Sequence, residues 1–211
     1  FNIEDYSEIV TDYECFEALN IPKHHPARDM QDTYYLDNGQ LLKSHTSAAQ
    51  NAILKKYGKG LIENGTPIKA IFPGRCFRNE ATDACHENTF FQMEGVMVDK
   101  DISISNLIDF MKKVKSLSYK VKLDTNGTNP DMLIRAVEEG AVDYVAMDIK
   151  NSPENYGMSV GIKNYDTAKI KRSVKYLLED HVDYEFRTTV VREFNDKNSF
   201  YGVADLISGA K

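Results

Sequence analysis

Two runs of strand-forming residues, "IKAIFPGRCF" from Ile68 and "TFFQMEGVMVD" from Thr89, flank a polar stretch from Asn79 to Asn88. This is the grammar of a long antiparallel hairpin. Successive strand residues point to opposite faces, so Phe91, Met93, Gly95 and Met97 share one face. Phe90, Gln92, Glu94 and Val96 share the other, with Arg78 or Phe77 expected opposite the polar pair. A face bearing arginine, amide and carboxylate is poor core material, because unpaired charge is expensive to bury. Two readings follow. The face is solvated and its charges pair across strands, or arginine forks hold phosphate oxygens while carboxylate and amide hold an ammonium group.

The 211-residue chain is 42% hydrophobic, enough for one large domain or two small ones. It contains no apolar run of about 18 residues and opens on the acidic "FNIEDYSEIV", so a cytoplasmic protein without a membrane partner is expected. Cys15, Cys76 and Cys85 have no zinc or iron–sulfur ligand spacing and read as idle or buried thiols. Residues 1–105 carry an acidic excess and the remainder is balanced, which places a domain boundary between Asp101 and Asn106.

Before the hairpin, "IPKHHPARDMQD" reads as an ordered loop interrupted by prolines. "TYYLD" and "QLLKSHT" read as two short strands about the Asn38-Gly39 turn. Thr46 or Ser47 can cap a helix running to about Tyr57, where Gly58 ends it.

After Asn106 the periodicity changes. "NLIDFMKKVKSL" is helical, "YKVKLDTNG" is a strand ending in a turn, and "TNPDMLIRAVEEG" is a helix with Asn129 as cap and Pro130 at its first position. "VDYVAMDIK", a helix over about Tyr165 to Glu179, "VDYEFRTTVV" and a last helix over about Asn198 to Ser208 complete a βα pattern that implies a parallel sheet. Ligands of such sheets gather at the carboxyl ends of the strands, where Asp124, Asp148 and Lys150 stand. A strand-end aspartate capping a turn and a solvated lysine are the alternatives.

Three segments, "LNIPKHHPARDMQDTYYL", "LLKSHTSAAQ" and "FPGRCFRNEATDACHENTFFQMEG", together resemble the α-subunit catalytic domain of phenylalanine–tRNA ligase, a class II aminoacyl-tRNA synthetase. The resemblance spans nearly all of residues 1–105. It implies that the hairpin is motif 2, with Arg78 on the α-phosphate of ATP, Glu80 beside it and His86 in the loop near the nucleotide. It further implies that His45, Ser47, Gln92 and Glu94 surround the amino acid, with Gln92 and Glu94 near its ammonium group. ATP with Mg2+, phenylalanine, tRNA and a synthetase β-subunit are the implied ligands and partners. No segment after Lys100 looks like the family's glycine-rich motif 3, so the implied activity is incomplete.

"KVKLDTNGTNPDML", "VDYVAMDIK" and "YEFRTTVV" resemble the C-terminal part of radical-SAM activating enzymes of glycyl-radical systems. That resemblance implies that Asp124, Asp148, Lys150 and Arg187 contact S-adenosylmethionine or a nearby monovalent cation. The family's CxxxCxxC loop is missing, so no iron–sulfur cluster is expected. The expected architecture is α/β overall. A partial class II synthetase-like antiparallel sheet with helices (α+β) occupies 1–105, and βα units resembling half of a radical-SAM partial β/α barrel occupy 106–211. Such a chain is a chimera, and an inert fragment of mixed ancestry is the reading from a different class.

Overall fold

The computed structural model of the chain describes residues 1–23, 28, 33–79 and 87–211. The chain divides into two compact units, Phe1–Ile102 and Ser103–Lys211. The loop expected over "IPKHHPARDMQD" lies mostly outside the described residues, as do Glu80, Cys85 and His86.

In the first unit, β1 (Asn2–Ile3) lies parallel to β4 (Ile68–Phe77), and β4 pairs antiparallel with β5 (Thr89–Val98). The sheet order is β1-β4-β5, so this sheet is mixed rather than purely antiparallel. Pro73 is tolerated within β4 because pairing with β1 has ended before it. Ile71 accepts from the Glu4 N–H on that side, and Pro73, two residues on, needs no donor there.

A second, two-stranded ladder joins β2 (Ile9–Val10) to β3 (Leu41–Leu42). The hairpin expected about Asn38-Gly39 is correspondingly short. Its turn forms, with the Gln40 N–H donating to Asn38 Oδ1, but the opposing strand contributes only an isolated Tyr35–Leu41 bridge. Helix α1 (Asp12–Cys15) carries a capping box in which Thr11 Oγ1 accepts from the Glu14 N–H and the Glu14 carboxylate accepts from the Thr11 N–H.

A 3₁₀ turn over Thr46–Ala49 leads into α2 (Gln50–Asn64). Gly58 does not end this helix. Ile53 and Tyr57 pack with Ala49, Ala70 and Phe72 beneath the hairpin, and that burial outweighs the roughly 1 kcal/mol that each interior glycine costs. The left-handed cap falls instead at Gly65 (φ 66°), whose N–H reaches the carbonyls of Gly60 and Leu61. Val10, Cys15, Phe16, Leu41 and Ala48 form a companion cluster.

The second unit opens with α3 (Ile104–Ser116), capped by a Ser103–Asn106 box. Strands β6 (Lys122–Thr125), β7 (Tyr144–Asp148) and β8 (Asp183–Arg187) form a parallel sheet in that order. Helix α4 (Pro130–Glu138) connects β6 to β7, with Asn129 Oδ1 accepting from the Met132 N–H and Pro130 at the first turn. Between β7 and β8 the chain forms a short α5 (Tyr156–Val160), absent from the sequence reading, and then α6 (Ala168–Leu178). Strand β8 ends at Arg187, several residues before the apolar run "TTVV" does, and α7 (Lys197–Leu206) follows. The buried residues Ile108, Leu133, Val145, Met147, Ile170 and Leu177 tie these helices to the sheet. Among the described residues no helix is long and apolar enough to cross a membrane.

Candidate functional site

The register of the hairpin sets the site. Gln92 lies opposite Gly74 and Glu94 opposite Phe72, while Phe77 pairs with Thr89 and the Arg78 N–H donates to the Asn88 carbonyl. Neither Phe77 nor Arg78 is therefore directly across from the polar pair, as the sequence reading expected. Arg78 nevertheless has the same strand parity as Cys76, and its guanidinium lies 4.9 Å from the centre of the Phe90 ring. Its Nε donates to the Ser44 carbonyl at 3.3 Å.

The polar face is the inward one. Phe91 and Met93 on the other face are 79% and 65% exposed, whereas Gln92 and Glu94 are half-buried beside the 3₁₀ turn. Glu94 is not held by a charge on the neighbouring strand. Oε1 of Glu94 accepts from Thr46 Oγ1 at 2.9 Å and from Ser47 Oγ at 2.6 Å. Oε1 of Gln92 accepts from the Thr46 N–H at 3.2 Å and from the Cys76 thiol at 3.4 Å. No described residue donates to Oε2 of Glu94, and none accepts from Nε2 of Gln92. One carboxylate oxygen and one amide NH2 thus remain for a ligand.

His45, in extended conformation, precedes the turn. Its ring sits edge-on to Phe16 with centroids 6.0 Å apart, and Nε2 lies 3.8 Å from Cys15 Sγ. Nδ1 is buried and has no hydrogen-bond partner among the described residues. Burial pushes its pKa below the usual histidine value; the Glu94 charge opposes this and Arg78 reinforces it, so the imidazole is neutral at pH 7. Burial also pushes the Cys76 thiol up to about 11, so it stays protonated.

Lys43 is 2% exposed and donates to the Tyr6 carbonyl at 3.1 Å. It lies directly beneath Gly74, where a Cβ would stand 2.7 Å from Nζ. Any side chain at position 74 would displace the lysine.

Sequence reading placed Arg78, His45, Ser47, Gln92 and Glu94 here and missed Thr46, Cys76 and Lys43. Cys76 was legible, since it shares the parity of Gly74 and Phe72. Thr46 was read only as a possible helix cap, a role that neither it nor Ser47 takes. Nothing in the sequence marks Lys43 as buried.

At the carboxyl ends of the second unit's strands, Arg187 Nη2 lies 2.7 Å from Asp124 Oδ1 and 3.3 Å from Asp148 Oδ1. Lys150 Nζ donates to Asp148 Oδ2 at 2.9 Å. The four residues form a charge-balanced surface cluster, and ion pairs this exposed contribute little to stability because water screens them.

The tRNA synthetases class II core domain (F) matches residues 1–127, more than half of the chain, and the chain belongs to that family. The matched residues run past position 105, through α3 and β6, so they include Asp124 but not Asp148, Lys150 or Arg187. Within the family the chain is similar to phenylalanine–tRNA ligase alpha subunits. It is 44% identical to that of Leptospira biflexa over 125 residues, 59% of this chain and 35% of the relative. It is 47% identical to that of Clostridium perfringens over 107 residues, 51% of this chain and 30% of the relative. The chain thus spans about a third of the length of these curated relatives. Among solved structures, pyrrolysyl-tRNA synthetase from Desulfitobacterium hafniense aligns with a TM-score of 0.42 at 15% identity, covering 65% of this chain and 41% of that one.

Proposed function

We propose that residues 1–105 form the amino-acid and ATP site of a phenylalanine–tRNA ligase, which activates phenylalanine for transfer to tRNA. The observation that carries this reading is the grouping of Gln92 and Glu94 on the inward face of β5, and Arg78 just past β4, with His45 and Ser47 of the 3₁₀ turn, one Glu94 oxygen being held by two hydroxyls and the other left over. In the reaction, a carboxylate oxygen of phenylalanine attacks the α-phosphorus of ATP, and pyrophosphate leaves with the electron pair of the broken P–O bond. This needs positioning and charge neutralisation rather than a protein nucleophile. Glu94 takes the ammonium group, Arg78 the α-phosphate, and Mg2+ arrives with the nucleotide's phosphates. Glu80 and His86 are assigned to the nucleotide by the family resemblance. The tRNA and a synthetase β-subunit are the partners that the α-subunit relatives suggest.

The test is calorimetric titration of the chain with L-phenylalanine and with Mg-ATP. A guanidinium fork binds phosphate bidentately and an ammonium does not, so Arg78→Lys is expected to weaken ATP binding about tenfold with little change in melting temperature. Equal ATP affinity in the two proteins would exclude Arg78 as the phosphate ligand.

A second reading, for residues 106–211, rests on the grouping of Asp124, Asp148, Lys150 and Arg187 at the carboxyl ends of three parallel strands. Two carboxylates and two cations match the ammonium, sulfonium and carboxylate of S-adenosylmethionine, and the half-barrel with its chimeric origin belongs to this reading. S-adenosylmethionine is expected to raise the melting temperature of the wild type but not of Asp148→Asn. No shift at millimolar ligand would leave the cluster as surface ion pairs.

A further inference from the structure

Strand β5 is the edge of its sheet. The order β1-β4-β5 leaves one side of it unpaired among the described residues, and its register with β4 runs from Thr89 to Val98 without a bulge. The Asn88 carbonyl accepts from the Arg78 N–H, so the even-numbered residues of β5 turn their backbone groups toward β4. The N–H and C=O groups of Thr89, Phe91, Met93, Gly95 and Met97 therefore point off the free edge. Edge strands ordinarily carry a lysine, a proline or a bulge that blocks pairing with another chain. β5 has none of these. Its one charge, on Glu94, is turned inward to Thr46 and Ser47, and Phe91 and Met93 beside the edge are largely exposed.

We propose that β5 is a self-association surface, on which a second copy of this chain docks edge to edge and antiparallel, with Met93 opposite Met93 of the second copy. A two-fold axis normal to the sheet must set one residue against its own copy, and the sequence of β5 selects which. With the axis at Met93 all five edge residues find a partner, closing about ten backbone hydrogen bonds. An axis at Glu94 would set two carboxylates against each other, and one at Gln92 would leave Met97 without a partner. At Met93, Glu94 instead faces the Gln92 amide of the second copy, so no like charges meet. Each Phe91 lies across from the bare Gly95 of the other strand, a position where an aromatic ring covers the backbone. The proposal stands independently of the ligase reading.

The test is sedimentation velocity on the full chain across the micromolar range. One strand from each copy is small against the roughly 1,200–2,000 Å² that stable interfaces bury, so a reversible monomer–dimer equilibrium is expected. Met93→Lys sets two ammonium groups opposite each other at the axis, and Met93→Glu sets two carboxylates there. Each variant alone is expected to raise the dissociation constant of the dimer at least about tenfold. The side chain at this position is exposed, so the monomer keeps its fold. An equimolar mixture of the two variants places opposite charges at the axis and is expected to dimerise at least as well as the wild type, a recovery that misfolded chains would not give. A wild type that stays monomeric throughout overturns the inference. Dimerisation that either variant retains at wild-type affinity also overturns it, because the interface then lies elsewhere, and so does loss in both variants without recovery in the mixture.

Discussion

Glu94→Gln is expected to lower L-phenylalanine affinity about 100-fold, some 2.7 kcal/mol, while leaving the melting temperature within a degree or two of the wild type. The two effects separate because the two carboxylate oxygens have different tasks. Oε1 is occupied by Thr46 and Ser47, and a glutamine carbonyl can accept from the same two hydroxyls at the same distances. In the proposed site Oε2 would carry the part of the charge that faces the ligand, and the substitution would replace it with an NH2 group that repels an ammonium. Hydrogen bonds to charged groups contribute about 1.5–3 kcal/mol, and the reversed polarity places the loss toward the upper end. Folding gains from removing a half-buried charge, which offsets any weakening of the Thr46 and Ser47 bonds. Titration calorimetry and thermal unfolding on the same preparations decide the matter. Equal loss of both would make Glu94 a structural residue, and unchanged phenylalanine affinity would place the ammonium elsewhere.

The contrast between Glu94 and Lys43 indicates what a sequence can reveal of this site. Strand alternation alone put Gln92, Glu94 and Phe90 on one face, because a period of two is a property of the extended backbone. That this polar face points inward, with Phe91 and Met93 outward, reverses the usual pattern, and alternation has no means of choosing between the faces. The choice depends on the 3₁₀ turn at Thr46–Ala49, which brings two hydroxyls and a backbone N–H against the sheet from residues nearly fifty positions away. Lys43 lies deeper still. Its burial follows from the carbonyl of Tyr6 and the missing side chain at Gly74, neither of which has a local signature.

Helix ends show the same division. Asn129 and Pro130 announced the start of α4 correctly, since capping is local chemistry. Gly58 announced an end to α2 that did not occur. Its neighbours Ile53 and Tyr57 pack against the hairpin, and a glycine's helix penalty is smaller than the gain from that burial. The parallel order β6-β7-β8 was legible because alternating strands and helices leave few other arrangements. The parallel addition of β1 to β4 was not, because two residues carry no periodicity.

Gly127→Ala is expected to destabilise the second unit by about 2–4 kcal/mol, the largest stability effect of any single methyl group considered for it. Two costs combine. Gly127 has φ 72°, a region that L-residues occupy at a cost of roughly 1 kcal/mol or more. An added Cβ would also stand 2.0 Å from Cε of Met147, a fully buried side chain on β7, and 3.4 Å from Cβ of Ser173. Methionine is flexible, but a close-packed core leaves its end nowhere to go without off-rotamer strain of about 1–3 kcal/mol. Gly140→Ala separates the two terms. Its φ is 67°, and a Cβ there meets nothing within 4 Å, so only the backbone cost of roughly 1 kcal/mol remains. Denaturant unfolding of both variants, followed by a signal from the second unit, should therefore give a clearly larger loss for Gly127→Ala. Equal losses would mean that Met147 yields without strain. Shortening the obstacle is the complementary measurement. In a Met147→Ala background the clash is gone, and adding Gly127→Ala should then cost no more than Gly140→Ala does in the wild type.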